Sequence, residues 1–138
     1  MNRVLPVLIS TLCFGACDLF GPDEQRVLGI IGEREDSENV FPAVVDAGSP
    51  FEVTVHTFGS GSCTRPDNTE VSVDGATAVI SPYDIRIHRD ACTSDLRAFP
   101  HPLTLQFDSS GDAVIVLRGH LTRYDDPVVE HRYAVSVR

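Results

Sequence analysis

The sequence predicts an all-β fold: an antiparallel β-sandwich of roughly seven to nine short strands, with a small closed β-barrel as the alternative. Three observations lead there. Apolar and polar residues alternate in several short runs, which is the period of a half-buried strand. Turn signals rich in Gly, Pro, Asp and Ser recur about every ten residues. No stretch carries the apolar periodicity of an amphipathic helix. The 138 residues leave room for one ordinary domain.

The elements follow in chain order. Arg26 to Gly32 reads as a first strand, and Glu33 to Asn39 as a charged loop. Val40 to Val45 is apolar but holds Pro42, which confines it to a sheet edge. From Phe51 to Phe58, the residues Phe51, Val53, Val55 and Thr57 share one face and Glu52, Thr54 and His56 the other. Gly59-Ser60-Gly61-Ser62 breaks that strand as a flexible loop. Val71 and Val73 give the next alternation, before an Asp74-Gly75 turn. Ala76 to Ile80 is a strand stopped by Ser81-Pro82, after which Ile85 and Ile87 alternate with Arg86 and His88.

Arg89 to Pro100 is irregular, with a helical turn near Thr93 to Ala98 capped by Thr93. Leu103, Leu105 and Phe107 alternate with Thr104, Gln106 and Asp108. Ala113 to Leu117 is continuously apolar, as for a strand near the centre of a sheet. Tyr133, Val135 and Val137 close the pattern, so residues 112–120 and 128–138 read as a final hairpin. The strand count and spacing suit an immunoglobulin-like or fibronectin-like sandwich. The chain has no Trp and hence no Cys…Trp…Cys spacing of antibody domains.

Composition narrows the function. Twenty acidic residues face eleven arginines and no lysine, a net charge of −9. Nucleic acid is excluded as a partner, because phosphate binding needs a basic face. The apolar fraction of 42 % is too high for a disordered chain.

The N-terminus reads as an address. Met1-Asn2-Arg3 is basic, Val4 to Leu12 is mostly apolar, and Phe14-Gly15-Ala16-Cys17 ends in small residues before a Cys. The apolar run is too short for a permanent transmembrane helix. Phe14-Gly15-Ala16-Cys17 resembles the lipobox of bacterial lipoproteins, although Phe14 stands where that family usually has Leu. The resemblance covers about the first 20 residues. It implies cleavage between Ala16 and Cys17 and attachment of diacylglycerol, with palmitate-type chains, to the Cys17 thiol. Residues 1–16 are then the signal peptide, 17–25 a lipidated tether and 26–138 the domain. It also implies a protein held outside the cytoplasm on a bacterial membrane. Asp18 fits the inner-membrane retention pattern of enteric bacteria, and the choice of membrane stays open. Cleavage leaves ten arginines against twenty acids, or −10. Such a body is repelled by an anionic leaflet, so lipid would be its sole anchor.

Of four cysteines, Cys13 leaves with the signal peptide and Cys17 takes the lipid. Cys63 and Cys92 remain, and an oxidising compartment pairs them as a disulfide. Closing that loop stabilises the domain by about 3.5 kcal/mol on the chain-entropy model. The rival use is a metal site with His56 and His101, but no paired ligand spacing supports it.

No catalytic motif appears: no Gly-x-Ser-x-Gly elbow, no His-Glu-x-x-His, no phosphate loop. No cofactor is implied. The five histidines lack ligand spacing; His120 and His131 are the one pair that a particular hairpin register would bring face to face, at a residue sum of 251. The alternation of Tyr133, Val135 and Val137 with Ile115 and Leu117 asks for an even sum, which separates them. Asp108, Asp112, Asp125 and Asp126 fit turn chemistry better than a Ca²⁺ loop. Tyr83, Asp84, Arg86 and Arg89 form a polar cluster near Cys92, where loops pinned by a disulfide could carry binding. The expectation is an extracytoplasmic lipoprotein with a non-enzymatic binding or structural module, whose partners are the membrane through its lipid and an unknown protein. The alternative is a periplasmic metal-binding protein that uses surface His.

Overall fold

A computed structural model describes residues 23–34 and 39–138. Cys13, Ala16, Cys17 and Asp18 lie outside the described residues. The described chain is all-β, with eight strands: β1 (Glu24–Leu28), β2 (Val44–Val45), β3 (Phe51–Gly59), β4 (Thr64–Asp74), β5 (Thr77–Ile87), β6 (Arg97–Leu105), β7 (Gly111–Gly119) and β8 (Val129–Val137). Six form one sheet, ordered β1-β5-β7-β8-β2 with β4 also on β5; β3 and β6 form a second. The sheets are not closed into a barrel, and the arrangement is consistent with a β-sandwich. Most pairs are antiparallel, but β5 with β7 and β2 with β8 run parallel.

The core lies between the sheets. Val53 and Val55 from β3, Leu105 at the end of β6, Phe107 just beyond it, and Ala78, Ile80, Ile115 and Leu117 from the large sheet are buried there. Each fully buried aliphatic or aromatic side chain contributes about 1.5–3 kcal/mol. Strand β7 has neighbours on both edges, which explains its unbroken apolar run.

Three elements differ from expectation. The stretch 77–87 forms one strand rather than two, because Pro82 falls at a seam where its missing N–H costs nothing. Gly29 N–H donates to the Pro82 carbonyl at 2.9 Å, so both polar positions of Pro82 face the edge shared by β1 and β7. β7 pairs only as far as Ile80 and β1 begins at Tyr83, leaving the proline nitrogen between partners. No helical turn forms at 93–98; residues 91–96 are irregular and β6 starts at Arg97. The first strand is β1 at 24–28, and residues 29–31 then wedge between β5 and β7. There Ile31 N–H donates to His120 O at 2.8 Å and His120 N–H to Gly29 O at 2.9 Å. Gly29 is required at this crossing, since a Cβ would lie 2.3 Å from Thr57 Cγ2.

The small sheet protects its edges. Pro100 and Pro102 pair opposite His56 and Thr54. His56 turns its backbone away from β6 and donates to Asn39 Oδ1 at 2.6 Å, so the prolines point outward and blunt the edge of β6.

Candidate functional site

The disulfide end of the sandwich carries the candidate site. Cys63, just before β4, is bonded to Cys92 in the irregular segment ahead of β6. Polar contacts reinforce the link. Thr93 N–H donates to Ser62 Oγ at 2.9 Å, and Asp95 accepts from Gly61 N–H at 3.2 Å, from the Thr93 hydroxyl and from Arg97 Nε at 2.7 Å. These donors, the Thr93 hydroxyl foremost, hold the Asp95 carboxyl below its ordinary pKa. The Gly-Ser run is therefore a fastened loop. A Cβ at Gly61 would come within 2.5 Å of Asp95 Oδ2, so a larger residue there would have to displace the exposed Asp95 and Arg97 side chains.

Beside the disulfide lies a groove of about 430 Å³. Ile30, Leu96 and the Cys63–Cys92 bridge supply apolar surface; Arg86, Arg123 and Asp125 supply charge. A second, mostly apolar hollow of about 380 Å³ shares Ile30, Leu96 and Thr122 and adds Phe58 and Leu121. Leu96 is 77 % exposed, a large apolar side chain held in water at the rim. Arg86 sits 5.4 Å from the Tyr124 ring centroid, a cation–π distance. Burial pushes the Tyr124 phenol above its ordinary pKa, against the pull of Thr64 at 3.5 Å and of Arg86. At neutral pH the phenol keeps its proton as a hydrogen-bond donor.

The opposite groove wall is set by a loop that Asp126 organises. Its Oδ2 accepts from Thr122 N–H, Thr122 Oγ1 and Arg123 N–H at 3.0, 2.9 and 2.8 Å. The Thr122 hydroxyl is the main cause of a carboxyl pKa below the usual range. This is the turn chemistry expected of Asp126.

Behind the groove lies a buried polar network that sequence reading missed. Thr57 and His101 come from the small sheet, and Asp84 and Thr69 from the large one. Thr57 Oγ1 is 2.9 Å from Asp84 Oδ1 and 3.0 Å from His101 Nε2; His101 Nε2 is 3.1 Å from Asp84 Oδ1. His101 Nδ1 is 3.1 Å from Thr69 Oγ1. The residue types suggest a hydrolase triad, but the geometry does not. In a relay the carboxylate orients one ring nitrogen while the nucleophile uses the other. Here carboxylate and hydroxyl meet on the same nitrogen, and Thr57 and Asp84 are fully buried. The network ties the two sheets together.

The remaining expected residues separate. Strand alternation sends Asp84 inward and Tyr83 to the outer face, where the Arg26 guanidinium lies 3.6 Å above its ring. The hairpin register is Gly111↔Val137 through Gly119↔Val129, an even sum that sets His131 opposite Leu117. His120, beyond the last pair, holds the Asp126 carbonyl at 2.7 Å through Nδ1. The structure thus does not bring His120 and His131 together. Among the described residues no group of three or more His, Cys, Asp or Glu is placed to hold a metal ion. The rival Cys/His site fails directly, since both sulfurs are in the disulfide.

No protein-family model matches the chain, and no curated protein or solved structure matches it at a significant level.

Proposed function

We propose that this chain is a lipid-anchored extracytoplasmic bacterial lipoprotein whose β-sandwich is a non-enzymatic binding module, with the disulfide-pinned groove as its ligand site. The observation that carries the binding role is a groove lined by two arginines, Arg86 and Arg123, against one acid, Asp125, beside the apolar Ile30 and Leu96, in a protein of net charge −9. A locally cationic, partly apolar groove suits a small ligand with an apolar body and an acidic group. The disulfide and the Asp95 contacts fix one wall and Asp126 the other, so little ordering would accompany binding. The lipobox-like Phe14-Gly15-Ala16-Cys17 and a disulfide of the kind favoured by oxidising compartments support the location.

Two experiments test it. With octanoate as first probe, amide resonances of Arg86, Leu96 and Arg123 should shift, and Arg86→Ala should weaken binding by roughly tenfold. Absence of any shift at octanoate concentrations on the order of 10 mM would remove the groove as an anion site. Separately, Cys17→Ser should release the protein from membranes; persistent attachment would refute lipid anchoring.

A further inference from the structure

We propose that the outer edge of β4, from Thr69 to Asp74, takes up an extended segment of a partner protein by β-strand addition, and that this segment alternates apolar with basic residues. This edge shares no residue with the groove beside the disulfide.

The hydrogen-bond phase of β5 identifies the open groups. Ile87 N–H donates to Cys63 O at 2.8 Å, and the Pro82 carbonyl accepts from Gly29 on the other edge. Odd-numbered β5 residues therefore turn their backbone toward β4. The register pairs Ser81 with Glu70, Val79 with Ser72 and Thr77 with Asp74. Glu70, Ser72 and Asp74 consequently spend their N–H and C=O groups on β5. Thr69, Val71 and Val73 present theirs outward, and no backbone group among the described residues pairs with them. A strand edge of this kind is a template for another chain.

The side chains add specificity. Residues 70–74 are exposed on both faces of the strand. Val71 and Val73 stand opposite the buried Ile80 and Ala78, on the core-facing side. The two-stranded sheet reaches β4 at Thr69, whose hydroxyl lies 3.1 Å from His101 Nδ1, while farther along the strand Val71 is 39 % and Val73 44 % exposed. Glu70 and Asp74 occupy the other face. Asp108 and Asp112 line a hollow of about 530 Å³ beside Val73. Two cations face this region, and each has other carboxylates. Arg26 pairs with both Glu70 and Asp67, and Arg118, which shares a shallow groove with Glu70 and Ser72, lies 3.7 Å from Glu130. An added strand would set apolar side chains against Val71 and Val73 and basic ones against Glu70 and Asp74. A second copy of the same edge is disfavoured: pairing Val71 with Val73 sets Glu70 against Asp74.

The test uses the full chain with its disulfide intact and a labelled eight-residue peptide of alternating Val and Lys. The peptide should bind by fluorescence anisotropy. Val71→Pro removes one outward donor and leaves the bonds to β5 in place, so it should weaken binding about tenfold with the fold retained by circular dichroism. Methylating the peptide nitrogens on one edge should do the same, and replacing Lys by Glu should abolish binding. No binding of the Val–Lys peptide overturns the proposal. Binding unaffected by both Val71→Pro and N-methylation reduces it to surface charge and also overturns it. Sedimentation showing a dimer that Val71→Pro dissolves would assign the edge to a second copy and overturn the partner class. If Val71→Pro unfolds the chain, the N-methylated peptide alone decides the question.

Discussion

Replacing His101 by Leu should cost a large share of the domain's stability. His101 is the hub of the inter-sheet network, with contacts at 3.1 Å to Asp84, 3.0 Å to Thr57 and 3.1 Å to Thr69. Asp84 would keep only the Thr57 hydroxyl at 2.9 Å, because its Oδ2 is buried without a hydrogen-bond partner among the described residues. Removing one side of a buried polar or ionic pair typically costs about 3–5 kcal/mol. Domains of this size hold about 5–15 kcal/mol in all. With a urea slope near 1.5 kcal/mol/M, the unfolding midpoint should fall by about 2–3 M. The chain has no Trp, so far-UV circular dichroism is the natural probe. The double variant Asp84→Leu/His101→Leu removes both polar groups and should be more stable than His101→Leu alone. Single substitutions that each cost less than about 1 kcal/mol and simply add would refute a coupled network.

Other outcomes follow from the same structure. Replacing Cys63 and Cys92 by Ala should lower stability by about 3.5 kcal/mol in urea unfolding and broaden the resonances of residues around the groove. His131 is buried, which lowers its pKa; the unfolded chain therefore binds a proton more readily, and stability should fall as pH drops through the ordinary imidazole value and level off below the depressed one. His131→Gln should flatten that part of a stability–pH curve. Asp126 has a depressed carboxyl pKa, so its contribution is present above the ordinary Asp value and lost as pH falls through the lowered one. Faster hydrogen exchange at Thr122 and Arg123 in Asp126→Asn would register the loosened loop. Gly29→Ala should destabilise by about 1–3 kcal/mol through overpacking against Thr57, measured by thermal melting.

Much of this architecture is legible in the residues. The parity of Phe51, Val53, Val55 and Thr57 gives the inward face of β3 correctly, and Thr57 proves to be its polar member. The even register of the last hairpin follows from Tyr133 and Val135 sharing a face with Ile115 and Leu117. The network around Asp84 was missed because Ser81-Pro82 reads as a stop. Once the strand continues through Pro82, Asp84 falls in phase with Ala78 and Ile80 and must point inward. Ile85 and Ile87, by the same phase, lie on the outer face, where Ile85 is nonetheless buried. His101 shares its parity with Leu103, Leu105 and Phe107, so its burial was also readable. What single-strand periodicity cannot supply is pairing between distant strands. Neither the insertion of residues 29–31 beside His120 nor the meeting of Arg86 with Tyr124 has a local signal.

We propose an exported, lipid-anchored domain, and its one disulfide joins Cys63 to Cys92. Intact mass spectrometry of the chain extracted from a bacterial membrane tests it most directly. The extracted chain should begin at Cys17, carry acyl mass on that residue and gain two hydrogens on reduction. A full-length chain beginning at Met1 without added lipid, or one bearing two free thiols at Cys63 and Cys92, would contradict it.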